Sequence, residues 1–157
     1  GAMNVDISKA QAFAANGGFS YAAPKASFKG AFEIKYLFTP SKAVDQNMTL
    51  YCWSEETYLT SEELTAENAD KVLTMSCDES GVYTGSYTGI SAKNIEDTVF
   101  VCAVYESDGV RYSTGVLAYS LGAYCRFGIA SNHDTFRALA EATAIYGQSA
   151  KAFFEQV

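Results

Sequence analysis

The stretch Thr98–Tyr119, TVFVCAVYESDGVRYSTGVLAY, decides the fold. Its first half, Thr98 to Glu106, is dense in Val, Phe and Tyr, residue types that fit a pleated, half-buried surface. Ser107-Asp108-Gly109 interrupts it, and Val110 to Tyr119 returns with a similar composition. Asp-Gly supplies the positive φ that a tight turn demands, so the whole stretch reads as an antiparallel hairpin. Upstream, Val82 to Ile90 alternates with a period of two. Tyr83, Gly85, Tyr87 and Gly89 share one face, and Val82, Thr84, Ser86 and Thr88 share the other. Lys71 to Cys77 reads as a strand carrying Leu73, Met75 and Cys77 on one side. Met48 to Trp53 sets Met48, Leu50 and Cys52 against Thr49, Tyr51 and Trp53. Phe28 to Phe38 aligns Phe32, Ile34, Tyr36 and Phe38, and Thr39-Pro40-Ser41 ends it because proline cannot donate to a ladder.

Between these strands lie short turns and no helix-length segment. The acidic Ser54 to Asp70 offers only a helical turn at Thr60-Ser61-Glu62-Glu63, a Ser/Thr-x-x-Glu phrase. The polar, Ala/Gly-rich lead-in from Asn4 to Pro24 adds at most a strand near Val5 to Ile7. About six or seven strands with turn signals at short, regular spacing predict an antiparallel β-sandwich, Ig-like or fibronectin III-like, rather than a parallel sheet. From Ser120 the period changes. Ser120 is placed to cap a short helix over 121–127, with Gly128 to stop it. A longer helix over 133–156 follows, with Phe136, Leu139, Ala140, Thr143, Tyr146, Ala150 and Phe153 as its apolar stripe. The expectation is a mainly β fold with a C-terminal α-helical hairpin packed on it. Residues 4–157 then form a single domain, and 1–3 look like a tag remnant. No signal peptide follows them, so a secreted parent would make this an excised piece of a longer multidomain chain.

The 157 residues are 48% hydrophobic and 18% charged, enough apolar material for a packed core. No apolar run approaches the roughly 18 residues of a spanning helix, so membrane insertion is not expected. Net charge is −7, and it is unevenly spread. Residues 44–108 hold thirteen acids against Lys71 and Lys93 alone, a net −11, whereas the remainder is net +4. A phosphate backbone would be repelled by that middle, which excludes nucleic acid as a partner. The simple reading of the acids is solvated loops that keep the chain soluble. The alternative is a patch for a basic partner or for calcium. The doublets Glu55-Glu56, Glu62-Glu63 and Asp78-Glu79 lack the loop spacing that brings roughly six to eight oxygens onto one ion.

Several phrases together resemble a known group. They are Ser27–Phe32 leading into Tyr36-Leu37-Phe38, Leu50–Glu56, Tyr83–Ile90, Val101–Tyr105 before Asp108-Gly109, Gly115–Ser120, and Ala138–Ala142 with Tyr146–Phe154. Over most of residues 25–156 the chain is similar to the C-terminal β-sandwich-plus-helix modules of large extracellular proteins from Gram-positive gut anaerobes. Such modules sit beside leucine-rich repeats, bacterial Ig-like repeats, dockerins or glycosidases. The resemblance implies secreted or cell-surface placement and no enzymatic centre. It transfers no site residues and leaves the ligand open between a glycan, a host protein and the neighbouring module.

Residue chemistry agrees that this is not an enzyme. His133 is the single histidine, set beside Asp134 at an expected helix start, with no nucleophile elbow for it to serve. A glycosidase needs two carboxylates facing each other across a cleft, and the Glu doublets look like loop surface. Cys52, Cys77, Cys102 and Cys125 have no Cys-x-x-Cys and no histidine at ligand spacing, so neither zinc nor any other cofactor is expected. Two disulfides in any of three pairings are open, but three of these cysteines lie mid-strand among apolar neighbours, and buried free thiols are favoured. The remaining candidates are aromatic. Trp53 with Tyr51, joined by Tyr58, forms one platform for the apolar face of a sugar, and the Tyr83/Tyr87 pair forms a second. The competing reading of both is ordinary core and cross-strand packing. Three functions follow: a non-catalytic interaction module binding a protein partner, a host protein among the candidates, then a carbohydrate-binding module, then a structural spacer.

Overall fold

The computed structural model describes residues 3–21, 24–27 and 32–122. Strands β1 (Phe19–Tyr21), β2 (Lys25–Ser27), β3 (Phe32–Pro40), β6 (Ser76–Cys77) and β7 (Tyr83–Ile90) form one sheet. Their order is β1-β3-β7-β6, with β2 also paired to β3. Strands β4 (Thr49–Trp53), β5 (Lys71–Thr74), β8 (Val99–Ser107), β9 (Val110–Ser113) and β10 (Leu117–Tyr119) form the other, in the order β10-β8-β4-β5 with β9 also on β8. Every pairing is antiparallel. The described chain is therefore mainly β, in two packed antiparallel sheets. The expected helices at 121–127 and 133–156 lie outside the described residues, apart from Leu121 and Gly122.

Alternation decides what each sheet turns inward. Ile34, Tyr36 and Phe38 of β3 are buried against Leu50 and Cys52 of β4 and against Val99, Val101, Ala103 and Tyr105 of β8. Each such aliphatic or aromatic side chain removed from water contributes about 1.5–3 kcal/mol. Tyr83, Gly85 and Tyr87 stand opposite Phe38, Tyr36 and Ile34 and share that inward face. Gly85 marks a close approach of the sheets, since a Cβ there would lie 3.0 Å from Leu50 Cδ2. The hydroxyl of the buried Tyr36 finds no hydrogen-bond partner among the described residues, and burial holds that phenol well above its usual range.

Three expectations need correction. Lys71–Cys77 is not one strand, because β5 belongs to the second sheet and β6 to the first. The chain crosses between layers at Met75, whose N–H donates to Met48 O at 2.9 Å, and Cys77 ends exposed rather than among apolar neighbours. The return arm Val110–Tyr119 is also broken. Ser113 pairs Val104 but Leu117 pairs Val101, so Thr114–Val116 holds one extra residue, with Gly115 at φ +78. That extra residue is a bulge, which re-aims the strand. Finally, the lead-in is not a strand. Ile7–Phe13 forms 3-10 turns kinked at Ala10, and Asp6 caps them by accepting from Ser8 N.

That lead-in roofs the outer face of the second sheet. Phe13, Trp53, Tyr58, Leu64, Phe100, Cys102 and Val104 form a second buried cluster there. Its other cover is α1 (Glu55–Thr60), which starts where Thr57 N donates to Ser54 Oγ at 3.2 Å. The Thr60–Glu63 phrase follows the helix instead of opening it.

Candidate functional site

The five aromatic candidates separate cleanly. Trp53 is 0% exposed. Its ring lies edge-on to Phe13 at 5.0 Å, and Nε1 donates to Asn68 Oδ1 at 2.8 Å and to Thr65 O at 3.1 Å. Tyr58 is buried and stacks on Phe100 at 4.0 Å with Lys9 Nζ over its ring, while its hydroxyl accepts from Asp6 N at 2.9 Å. These two side chains are packing residues, which removes the Trp53 platform. The lead-in and the 54–70 loop cover the face that alternation alone leaves open. Tyr83 is half-buried at the β6 edge and turns inward.

Tyr87 lines a cleft of about 500 Å³ at the open end between the sheets, with Ser54, Glu55, Lys71, Lys93, Asn94 and Asp97. Most of its polar groups already serve the fold. Lys71 Nζ donates to Thr88 O at 2.8 Å and sits 4.4 Å from the Tyr87 ring centre, covering it. Glu55 Oε1 accepts from Thr98 N at 3.1 Å. Burial, then the carboxylates of Asp70 and Asp97, hold the Tyr87 hydroxyl above its usual range.

Tyr51 occupies a different position. It stands on the outer face of the second sheet, just past the roof, opposite Val72 and Cys102. Phe13 props its ring at 5.0 Å, and Trp53 lies stacked beside it at 6.3 Å. The ring is half-buried in a cleft of about 420 Å³ with Gln46, Asn47, Thr49, Glu106 and Arg111 around it. Asp45 closes one end, where its carboxylate accepts from Asp108 N at 3.2 Å and Gly109 N at 3.4 Å. Arg111 is held at the other side by Nη1 donating to Ala12 O at 3.2 Å, with the guanidinium 5.3 Å from the Phe13 ring centre. The side chains of Gln46, Asn47, Thr49 and Glu106 and the Tyr51 hydroxyl make no hydrogen bond to other described residues. Sequence reading found Tyr51 but none of these neighbours. The signal within reach was alternation, which puts Thr49, Glu106 and Arg111 on the Tyr51 face once the sheet order is known.

Among the described residues no cluster of histidine, cysteine and carboxylate side chains fits a metal ion. None of the helices among them is long and apolar enough to cross a membrane. Of the described cysteines, Cys52 and Cys102 are buried free thiols and Cys77 is an exposed one.

No family model matches the chain. No curated protein matches it either. A solved structure titled "Crystal structure of Br derivative BhCBM56" is similar at 16% identity and a TM-score of 0.41, over 66% of this chain and 99% of that one.

Proposed function

We propose that this chain is a non-catalytic glycan-binding module whose contact face is the Tyr51 cleft. One observation carries the reading: a half-buried tyrosine ring flanked by amide, hydroxyl, carboxylate and guanidinium groups, four of whose side chains are not engaged by the fold. A pyranose offers C–H groups that pack on a ring face and hydroxyls that both donate and accept. Amides, carboxylates and guanidinium groups satisfy such hydroxyls with fixed geometry. The Tyr87 cleft is the poorer candidate because Lys71 already covers its ring. A protein partner, the leading expectation from sequence, ranks second at the Tyr51 and Tyr87 clefts, which are lined mostly by polar side chains. Secreted or cell-surface placement within a longer chain, an Ig-like lineage and the C-terminal helical hairpin belong to the same proposal and are supported by the resemblance of residues 25–156. The acidic stretch 44–108 supports the exclusion of nucleic acid.

Affinity electrophoresis against plant and mucin polysaccharides tests this reading. Retardation by at least one glycan is expected, abolished by Tyr51→Ala and largely retained by Tyr51→Phe with an unchanged melting curve. No retardation by any glycan, or retardation that survives Tyr51→Ala and is lost with Tyr87→Ala, would overturn it.

A further inference from the structure

Cross-strand register carries the Tyr51 face beyond the cleft itself. Arg111 of β9 stands opposite Glu106 of β8. Two positions back along β8, Val104 stands opposite Thr49 of β4. Two positions on along β4, Tyr51 stands opposite Val72 of β5. Residues two apart on a strand share a face, so these side chains make a staircase running obliquely across the second sheet from β9 to β5. The other two corners of that face are filled. Phe13 fills one, its carbonyl accepting from Ser113 Oγ at 3.1 Å and its ring 5.0 Å from that of Tyr51. The loop 45–47 fills the other, fixed where Asp45 N donates to Glu106 O at 2.9 Å. The oblique path between them stays open. Val104 is its buried floor, Thr49 and Tyr51 are half-buried, and Glu106 and Arg111 are exposed. Val72 is 54% exposed, and among the described residues no strand lies beyond β5.

We infer that this staircase binds an extended, linear stretch of polysaccharide rather than a single terminal sugar, with Val72 as a further contact. The inference rests on the glycan reading of the Tyr51 cleft. Length is its first support. Strand spacing and rise separate Arg111 from Val72 by about 20 Å along the path. A linked pyranose advances by about one strand spacing, so the path takes roughly four units. The second support is the order of chemistry along it. Glu106 and Arg111 face each other yet form no ion pair among the described residues, and Arg111 Nη1 donates to Ala12 O at 3.2 Å instead. A carboxylate and a guanidinium side by side suit neighbouring hydroxyls of one sugar, the first accepting and the second donating. In the middle, the Tyr51 ring offers an apolar surface to the C–H groups of another unit. At the sheet edge, Val72 stands directly opposite Tyr51, where Cβ atoms lie about 4.5–5.5 Å apart, so a chain resting on the ring meets both. A terminal sugar would fill the Tyr51 cleft and leave Val72 in water.

Competition in affinity electrophoresis tests the length of the site. The competitors are size-fractionated acid hydrolysates, one to six units long, of the plant or mucin polysaccharide that retards the protein. Fragments of four or more units are expected to compete about tenfold or more better than fragments of one or two. Val72→Asp alters an exposed side chain and is expected to erase most of that advantage. Competition by the shortest fragments should be unchanged in this variant, which also shows that its cleft is folded. Equal competition by fragments of one and six units would overturn the inference, while loss of retardation in Tyr51→Ala would still uphold the glycan reading. A length dependence that Val72→Asp leaves intact would overturn it too. Retardation by no glycan would remove both.

Discussion

Single residues here are decided by what covers them. Cys52 lies in the inner core, and burial pushes its thiol up to about 12 from an ordinary 9.0, with Lys71 opposing weakly. Cys102 is also raised, again chiefly by burial, although Ser113 and Thr114 beside the sulfur pull the other way. A thiol whose folded pKa is raised stabilises the fold fully below pH 9. That contribution fades as pH climbs from 9 toward 12, because the unfolded chain ionises first. Urea midpoints are therefore expected to fall across this window, and Cys52→Ala is expected to flatten the decline. In the native protein at pH 8, a thiol reagent should reach exposed Cys77 while Cys52 and Cys102 react only on unfolding. Rapid modification of Cys52 would contradict its burial. Trp53 shows why such outcomes escape sequence reading. Alternation correctly places Thr49, Tyr51 and Trp53 on one face, but it says nothing of Phe13, forty residues away in sequence, lying over Trp53 while Tyr51 stays half open.

At the level of elements, the turn joining Val99–Ser107 to Val110–Ser113 was legible, because Asp108-Gly109 supplies the positive φ it needs, 49 and 75 degrees, although the return arm read to Tyr119 breaks after Ser113. The partner that steadies this turn was not legible. Asp45, from the loop before β4, accepts from both turn amides. Asp45→Ala is expected to cost about 1 kcal/mol in urea unfolding while leaving the unfolding slope unchanged. A loss no larger than a few tenths would show that the turn holds its own shape. The layer change at Met75 escaped for a different reason. Leu73, Met75 and Cys77 keep a period of two right through the crossing, so hydrophobic pattern alone cannot reveal that the hydrogen-bond partner switches from β4 to β7. The Thr114–Val116 bulge left a hint in Gly115, whose φ of +78 suits glycine alone.

For the whole molecule, two antiparallel sheets were foreseeable from strand spacing, whereas a second buried cluster outside the sandwich was not. The lead-in looks polar because only Ala10 and Phe13 within Ile7–Phe13 are buried. Yet Phe13 touches Tyr51, Trp53 and the Arg111 guanidinium, and so joins the roof, the second sheet and the proposed contact face. Phe13→Ala is expected to cost about 3–5 kcal/mol, measured by urea unfolding. A loss below 1 kcal/mol would mean that the outer cluster closes without it.

The roof also has a temporal consequence. Phe13 O accepts from Ser113 Oγ, and Asn16 Oδ1 accepts from Ser113 N, partners separated by 100 and 97 positions. On a ribosome Phe13 and Asn16 emerge well before Ser113 and wait without these partners until the intervening stretch has been made. Loops of that span close slowly, so completion of the nascent sandwich is set by Phe13 and Asn16 meeting Ser113 of β9.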